Sequence, residues 1–128
     1  MYTQTTHNIT VQVEPTFLAE ESSPEHYFWA YHITIKNGGD KVVQLRERYW
    51  KITDSHGRTQ EIKGEGVVGK QPVIAPGASF SYTSSAPLPT PWGTMAGTYT
   101  IEGEDGKMFK VAIPAFFLDC PDNKPILH

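Results

Sequence analysis

Apolar and polar residues alternate with a period of two along most of this chain, which predicts half-buried β-strands rather than helices. Between His7 and Val13, Ile9, Val11 and Val13 alternate with Asn8, Thr10 and Gln12, and the strand is expected to stop near Pro15. From His26 to Asn37, Tyr27, Trp29, Tyr31, Ile33 and Ile35 fall on one face, and Asn37-Gly38-Gly39-Asp40 then turns the chain. Val43 and Leu45 share one parity while Trp50 and Ile52 take the other, so a bulge or a change of sheet is expected between Arg46 and Tyr49. Asp54-Ser55-His56-Gly57 predicts a turn, followed by a short strand from Arg58 to Lys63 with Ile62 inward. Pro76-Gly77 turns the chain before Phe80 and Tyr82, and Pro87, Pro89 and Pro91 predict a long irregular connection up to Trp92-Gly93. Thr98 to Glu102 and Met108 to Ile113 bracket Gly103-Glu104-Asp105-Gly106, a tight hairpin with Tyr99 and Ile101 facing Phe109, Val111 and Ile113.

About seven short strands, turns roughly every 8 to 12 residues and no helix give an all-β fold. An antiparallel β-sandwich with immunoglobulin-like or fibronectin type III-like connections is expected, with a closed barrel as the alternative. The 128 residues fit one domain. Residues 1–6 and 119–128 are expected as extended or mobile tails. Cys120 is the single cysteine, so no internal disulfide is available, and the N-terminus lacks a basic region followed by an apolar run. No apolar run approaches the roughly 20 residues that span a bilayer, so a cytoplasmic protein without membrane contact is expected. The net charge of -3, from 11 basic and 14 acidic residues in no long block, points away from nucleic acid.

Candidate chemistry is sparse. Gly64-Glu65-Gly66-Val67-Val68-Gly69 is a literal GxGxxG, but Pro72 and Pro76 leave no room for the crossover helix of a dinucleotide-binding unit. A glycine-rich loop can still present amides to an anion. Gly64, Gly66 and Gly69, flanked by Lys63 and Lys70 and neighboured by Arg46 and Arg48, are therefore a candidate phosphate site. The favoured alternative has the glycines permitting positive φ in a loop that packs Val67 and Val68 inward, because Glu65 opposes an anion. The five histidines are scattered, and His26 and His32 lie about 20 Å apart along an extended strand, so no metal site is expected. Neither Cys120, without a basic neighbour, nor the serines at 79, 81, 84 and 85 carry a nucleophile's surroundings. No enzyme and no cofactor are expected. Among the aromatic residues Tyr49, Trp50, Trp92, Phe116 and Phe117, Trp92 stands in the Pro-rich connection, where exposure would make a protein-binding patch.

The run Val43-Gln44-Leu45-Arg46-Glu47-Arg48-Tyr49-Trp50-Lys51-Ile52-Thr53-Asp54, the Gly64–Gly69 motif continuing through Lys70-Gln71-Pro72, Ala75-Pro76-Gly77, and Gly93-Thr94-Met95-Ala96-Gly97-Thr98-Tyr99 resemble the bacterial ApaG family. The resemblance extends from about Ile9 to Leu127. It implies a fibronectin type III-like sandwich, a non-enzymatic interaction module, and an indirect link to cobalt resistance and magnesium efflux. It also implies pyrophosphate binding, carried over to Gly64, Gly66 and Gly69 alone, with a nucleotide or dinucleoside polyphosphate as ligand. The expected partner is another protein, not yet identified, and sandwich edges leave a homodimer open.

Overall fold

The computed structural model describes residues 1–121. It contains nine strands: β1 (Tyr2–Thr6), β2 (Ile9–Phe17), β3 (Tyr27–Asn37), β4 (Val43–Asp54), β5 (Thr59–Glu65), β6 (Val73–Ile74), β7 (Ser79–Leu88), β8 (Gly93–Gly103) and β9 (Met108–Leu118). A 3-10 turn covers Ala19–Glu21. The strands form two antiparallel sheets, one ordered β1-β2-β3-β7 and the other β5-β4-β8-β9 with β6 beside β4. No described ladder joins the sheets, so the barrel alternative is not realised.

Alternation places the core. Ile9, Val11 and Val13 of β2 and Trp29, Tyr31, Ile33 and Ile35 of β3 meet Leu45, Trp50 and Ile52 of β4, Tyr99 and Ile101 of β8 and Val111 and Ile113 of β9 in one buried cluster. The inversion of parity along β4 is a bulge: its register against β8 shifts between Leu45 and Glu47. The strand stays in one sheet, so the alternative of a switch is set aside. The Gly103–Gly106 hairpin pairs Tyr99 with Val111 and Ile101 with Phe109 as expected.

Four expectations need correction. The count rises from about seven to nine because β1 and the two-residue β6 carry too little alternation to stand out. Residues 2–6, expected as a tail, pair with β2 from Tyr2↔Val13 to Thr6↔Ile9. β2 continues past Pro15 to Phe17, because β1 ends opposite Val13 and the missing proline N–H falls where no neighbour needs it. Pro87 likewise sits in the outermost strand, β7, which runs on to Leu88, so the irregular connection shrinks to residues 89–92. Of the expected C-terminal tail, residues 122–128 lie outside the described residues, while Cys120 is buried.

Candidate functional site

The glycine loop is built by the bulge in β4. A bulge leaves one backbone group without a ladder partner. Here the Arg46 carbonyl accepts from the Gly66 N–H at 2.8 Å and from Gln71 Nε2 at 2.9 Å. Val67 and Lys70 then close a two-residue turn with reciprocal backbone bonds of 2.8 and 2.9 Å. Val68 and Gly69 between them have φ of 42° and 79°, the signs of a type I′ turn. A Cβ on Gly66, at φ 64°, would lie 2.2 Å from the Lys70 carbonyl oxygen. Gly64 faces the Arg48 guanidinium, whose Nη1 donates to the Glu65 and Gly66 carbonyls at 3.0 and 2.9 Å. The spacing of the motif thus answers to local sterics, and no helix follows Val67.

Val67 is 1% exposed and fills the space between the sheets, whereas Val68, expected to pack beside it, is 52% exposed at the turn tip. Only the first half of that packing expectation holds, because a type I′ turn aims its first central side chain away from the strands.

Two of the four cations near the loop are already engaged by protein groups. Arg46 pairs with Glu102 at 2.6 Å and donates to Gln71, and Arg48 holds the loop carbonyls. Lys63 lies over the Tyr49 ring at 5.9 Å. Lys70 is exposed. The Gly66 amide donates to Arg46 on β4 and those of Val67 and Lys70 bond within the loop, leaving the Val68 and Gly69 amides without a protein acceptor among the described residues.

Beneath the loop lies a polar seam in the core. Tyr82 of β7 and Tyr99 of β8 share a hydrogen bond between their hydroxyls across the two sheets, and Tyr31 stands beside them. Burial pushes all three phenols above the usual tyrosine range, and the nearby Arg48 charge offsets only part of it. A cavity of about 200 Å³ is lined by Tyr31, Tyr82, Ser84, Arg48, Val67 and Val68.

Trp92 is 48% exposed. It borders a cleft of about 560 Å³ with Tyr2, Pro15, Phe17, Trp29 and Phe117. Phe117 is 59% exposed and alternates with Phe116 and Leu118, which point into the core. Trp29 forms the floor, fixed by its Nε1–H donating to the Asp119 carbonyl at 2.8 Å. Of the aromatic group singled out in the sequence, Trp50 and Phe116 are core, stacked edge to face at 6.0 Å, and Trp92 and Phe117 face solvent. Tyr2 and Phe17 escaped notice because both lie beyond the ends of the alternating run in β2.

Register also sets Glu14, His32 and Thr83 side by side on three strands, with His32 Nδ1 and Thr83 Oγ1 at 2.8 Å. All three are exposed on an open sheet face and Glu14 makes no ion pair with His32 within 4.0 Å among the described residues, so the row lacks the pocket and the oriented acid of a triad. No group of three or more His, Cys, Asp or Glu among the described residues could hold a metal ion. No described helix is long and apolar enough to cross a membrane.

The chain resembles known proteins along its length. It is 55% identical over 130 residues to Protein ApaG of Paramagnetospirillum magneticum, with all of both chains covered, and 55% identical over 130 residues to Protein ApaG of a Methylobacterium species, again over the whole of each. The solved structure of an ApaA protein from Bordetella pertussis superposes with a TM-score of 0.86 at 49% identity, covering 88% of this chain and 94% of that one. The structural-genomics target SoR45 superposes with a TM-score of 0.87 at 40% identity over 98% and 94% of the two chains. The model of the ApaG domain matches residues 18–103, the span from the end of β2 through β8 that contains the bulge, the glycine loop and Trp92. This chain therefore belongs to the ApaG domain family.

Proposed function

We propose that this domain is a non-enzymatic protein-interaction module that docks its partner in the aromatic cleft beside Trp92. The observation that carries this reading is the pair of half-exposed rings, Trp92 and Phe117, flanking a floor of buried Trp29. Exposed aromatic anchors around a preformed cleft are the usual energetic centre of a protein interface. The strand order β2-β3-β7 facing β5-β4-β8-β9 supports a fibronectin type III-like assignment, with β1 as an added edge. The unbridged, buried Cys120 fits work in the cytoplasm, and the cobalt and magnesium link implied by family resemblance is assigned to the bound partner rather than to a metal on this chain.

The test is capture of a partner by the wild-type protein, followed by a binding isotherm with that purified partner. Trp92→Ala is expected to weaken binding at least tenfold, about 1.4 kcal/mol, with an unchanged melting temperature. Equal affinity of wild type and variant would exclude the cleft.

A second reading rests on the two unoccupied tip amides, Val68 and Gly69, next to Lys70, with Lys63, Gly64 and Gly66 preceding them in the chain. They form a shallow site for a terminal phosphate of a nucleotide or dinucleoside polyphosphate. Titration with ATP or diadenosine tetraphosphate should then shift the amide resonances of residues 68–70 at sub-millimolar ligand; silence there removes the reading.

A further inference from the structure

We infer that the outer edge of β7 is a self-pairing surface, on which a second copy of this chain lays its own β7 antiparallel across a two-fold axis at Thr83. Every sheet edge presents unpaired backbone groups that invite another strand unless they are covered or charged. β9 is covered by β1: Thr6 Oγ1 accepts from the Ala112 N–H at 3.3 Å, and the Tyr2 hydroxyl accepts from the Phe117 N–H at 3.3 Å. β5 is guarded by Glu61, Lys63 and Glu65. β7 carries no charged residue in its ten, Ser79-Phe80-Ser81-Tyr82-Thr83-Ser84-Ser85-Ala86-Pro87-Leu88.

The ladder with β3 fixes which groups of β7 are free. The Asn37 N–H donates to the Ala78 carbonyl and the register runs Lys36↔Ser79 to Tyr27↔Leu88, so hydrogen-bonded pairs fall at Phe80, Tyr82, Ser84, Ala86 and Leu88. The intervening Ser79, Ser81, Thr83 and Ser85 aim their N–H and C=O groups outward, together with the Pro87 carbonyl. Side chains agree, since Thr83 meets His32 at 2.8 Å and Ser81 meets Thr34 at 3.0 Å, the close approach of non-bonded pairs. Among the described residues no backbone group meets this outer row.

Self-pairing about Thr83 uses that row fully. Thr83 faces Thr83 of the second copy, Ser81 faces Ser85, and Ser79 faces Pro87, whose missing N–H falls at the ladder's end. All four outward N–H groups find carbonyls. On the inner face Phe80 meets Ala86 and Tyr82 meets Ser84, large against small, and on the outer face Ser and Thr meet each other without a charge between them. A register centred on Tyr82 would instead oppose two tyrosines. The loop supplies a second, independent observation. Val68, β-branched at φ 42° and 52% exposed, is held over the cavity it shares with Tyr82 and Ser84, where the added strand would cover it. No residue of this edge lines the aromatic cleft.

Sedimentation velocity on the full chain tests the pairing. The wild type is expected to shift from monomer to dimer with rising concentration. Thr83→Pro removes an outward N–H and leaves the β3 ladder intact, and Thr83→Lys sets two charges together at the axis while keeping every backbone donor; each should weaken association at least tenfold with an unchanged circular dichroism spectrum. Under mild oxidation Thr83→Cys should give a disulfide dimer, whereas Ser79→Cys, about 27 Å from its own copy in this register, should not. A wild type that stays monomeric to millimolar concentration, dimerisation undiminished in both Thr83 variants, or equal crosslinking at Ser79 and Thr83 would overturn the pairing. Binding of a foreign extended peptide along β7 by a chain that never self-associates would overturn the second copy as occupant.

Discussion

The two flanks of the sandwich solve the same problem by different means. On the β1–β9 flank, a short added strand reaches over and two of its side chains, Tyr2 and Thr6, take up backbone donors of β9. On the β5–β7 flank, a loop plugs the gap with Val67, anchored through Gly66 to the bulge in β4, and the outer edge of β7 stays open. The first flank is a covered edge. The second is a plug beside an open one, and its stability rests on a few residues whose replacement cannot be absorbed. A glycine motif can therefore arise from the demands of a plug, without a nucleotide to explain it.

The largest effect is expected at the anchor of the plug. Gly66→Ala places a methyl 2.2 Å from the Lys70 carbonyl at positive φ and should cost about 3 kcal/mol in urea denaturation, while Gly69→Ala, with nothing within 4 Å, should cost about 1 kcal/mol. Equal costs would mean that the two glycines play one common role, as a ligand cradle would require.

The seam under the plug gives the next. Tyr31, Tyr82 and Tyr99 have phenol pKa values raised by burial, so their stabilising contribution is complete below about pH 10, the unfolded value, and is lost as pH rises above it. Alkaline titration followed by phenolate absorbance should show Tyr82 and Tyr99, two of the six tyrosines, ionising only together with unfolding. Tyr99→Phe, which strips the Tyr82 hydroxyl of its partner, should cost about 1–2 kcal/mol.

On the covered flank the effect should be smaller. Thr6→Val removes the acceptor for the Ala112 N–H at near-constant volume and is expected to cost about 0.5–1 kcal/mol in urea denaturation, with amide exchange accelerated at Ala112. The smallest change has the opposite sign. Val68→Asn suits a type I′ turn better than a β-branched residue does, and should stabilise the monomer by about 0.5 kcal/mol in thermal unfolding. A destabilised variant would show that Val68 contributes packing in the isolated chain.

Strands with a buried face were legible because alternation is a local property. Ile9, Val11 and Val13, Trp29 through Ile35, and the parity inversion between Leu45 and Trp50 all reported their burial before any fold was drawn. Strands recruited by a neighbour were not. Tyr2–Thr6 has one-sided, mostly polar residues, and it is a strand because β2 supplies a ladder. Prolines misled at Pro15 and Pro87 for one reason: a missing N–H breaks a strand only where a neighbour would have bonded to it, and both positions face an open edge. Gly97 carries a signal of its own. A lone glycine inside an alternating run indicates close approach, and a Cβ there would lie 2.1 Å from the Tyr49 carbonyl.

The sequence by itself determined that this protein is antiparallel and all-β, that no helix follows the glycine motif of residues 64–69, and which side chains make most of the core. These follow from periodicity and from the covalent limits of proline and glycine, which act within a few residues. The tertiary structure decided the two-sheet closure. It also decided that Val67 plugs the interior while Val68 stays outside, that Arg46 is taken up by Glu102 and Gln71 and Arg48 by the loop carbonyls, and that Trp92 and Phe117 share a cleft with Tyr2 and Phe17. Each of these depends on which distant strand comes to lie alongside, and no window of neighbouring residues carries that information.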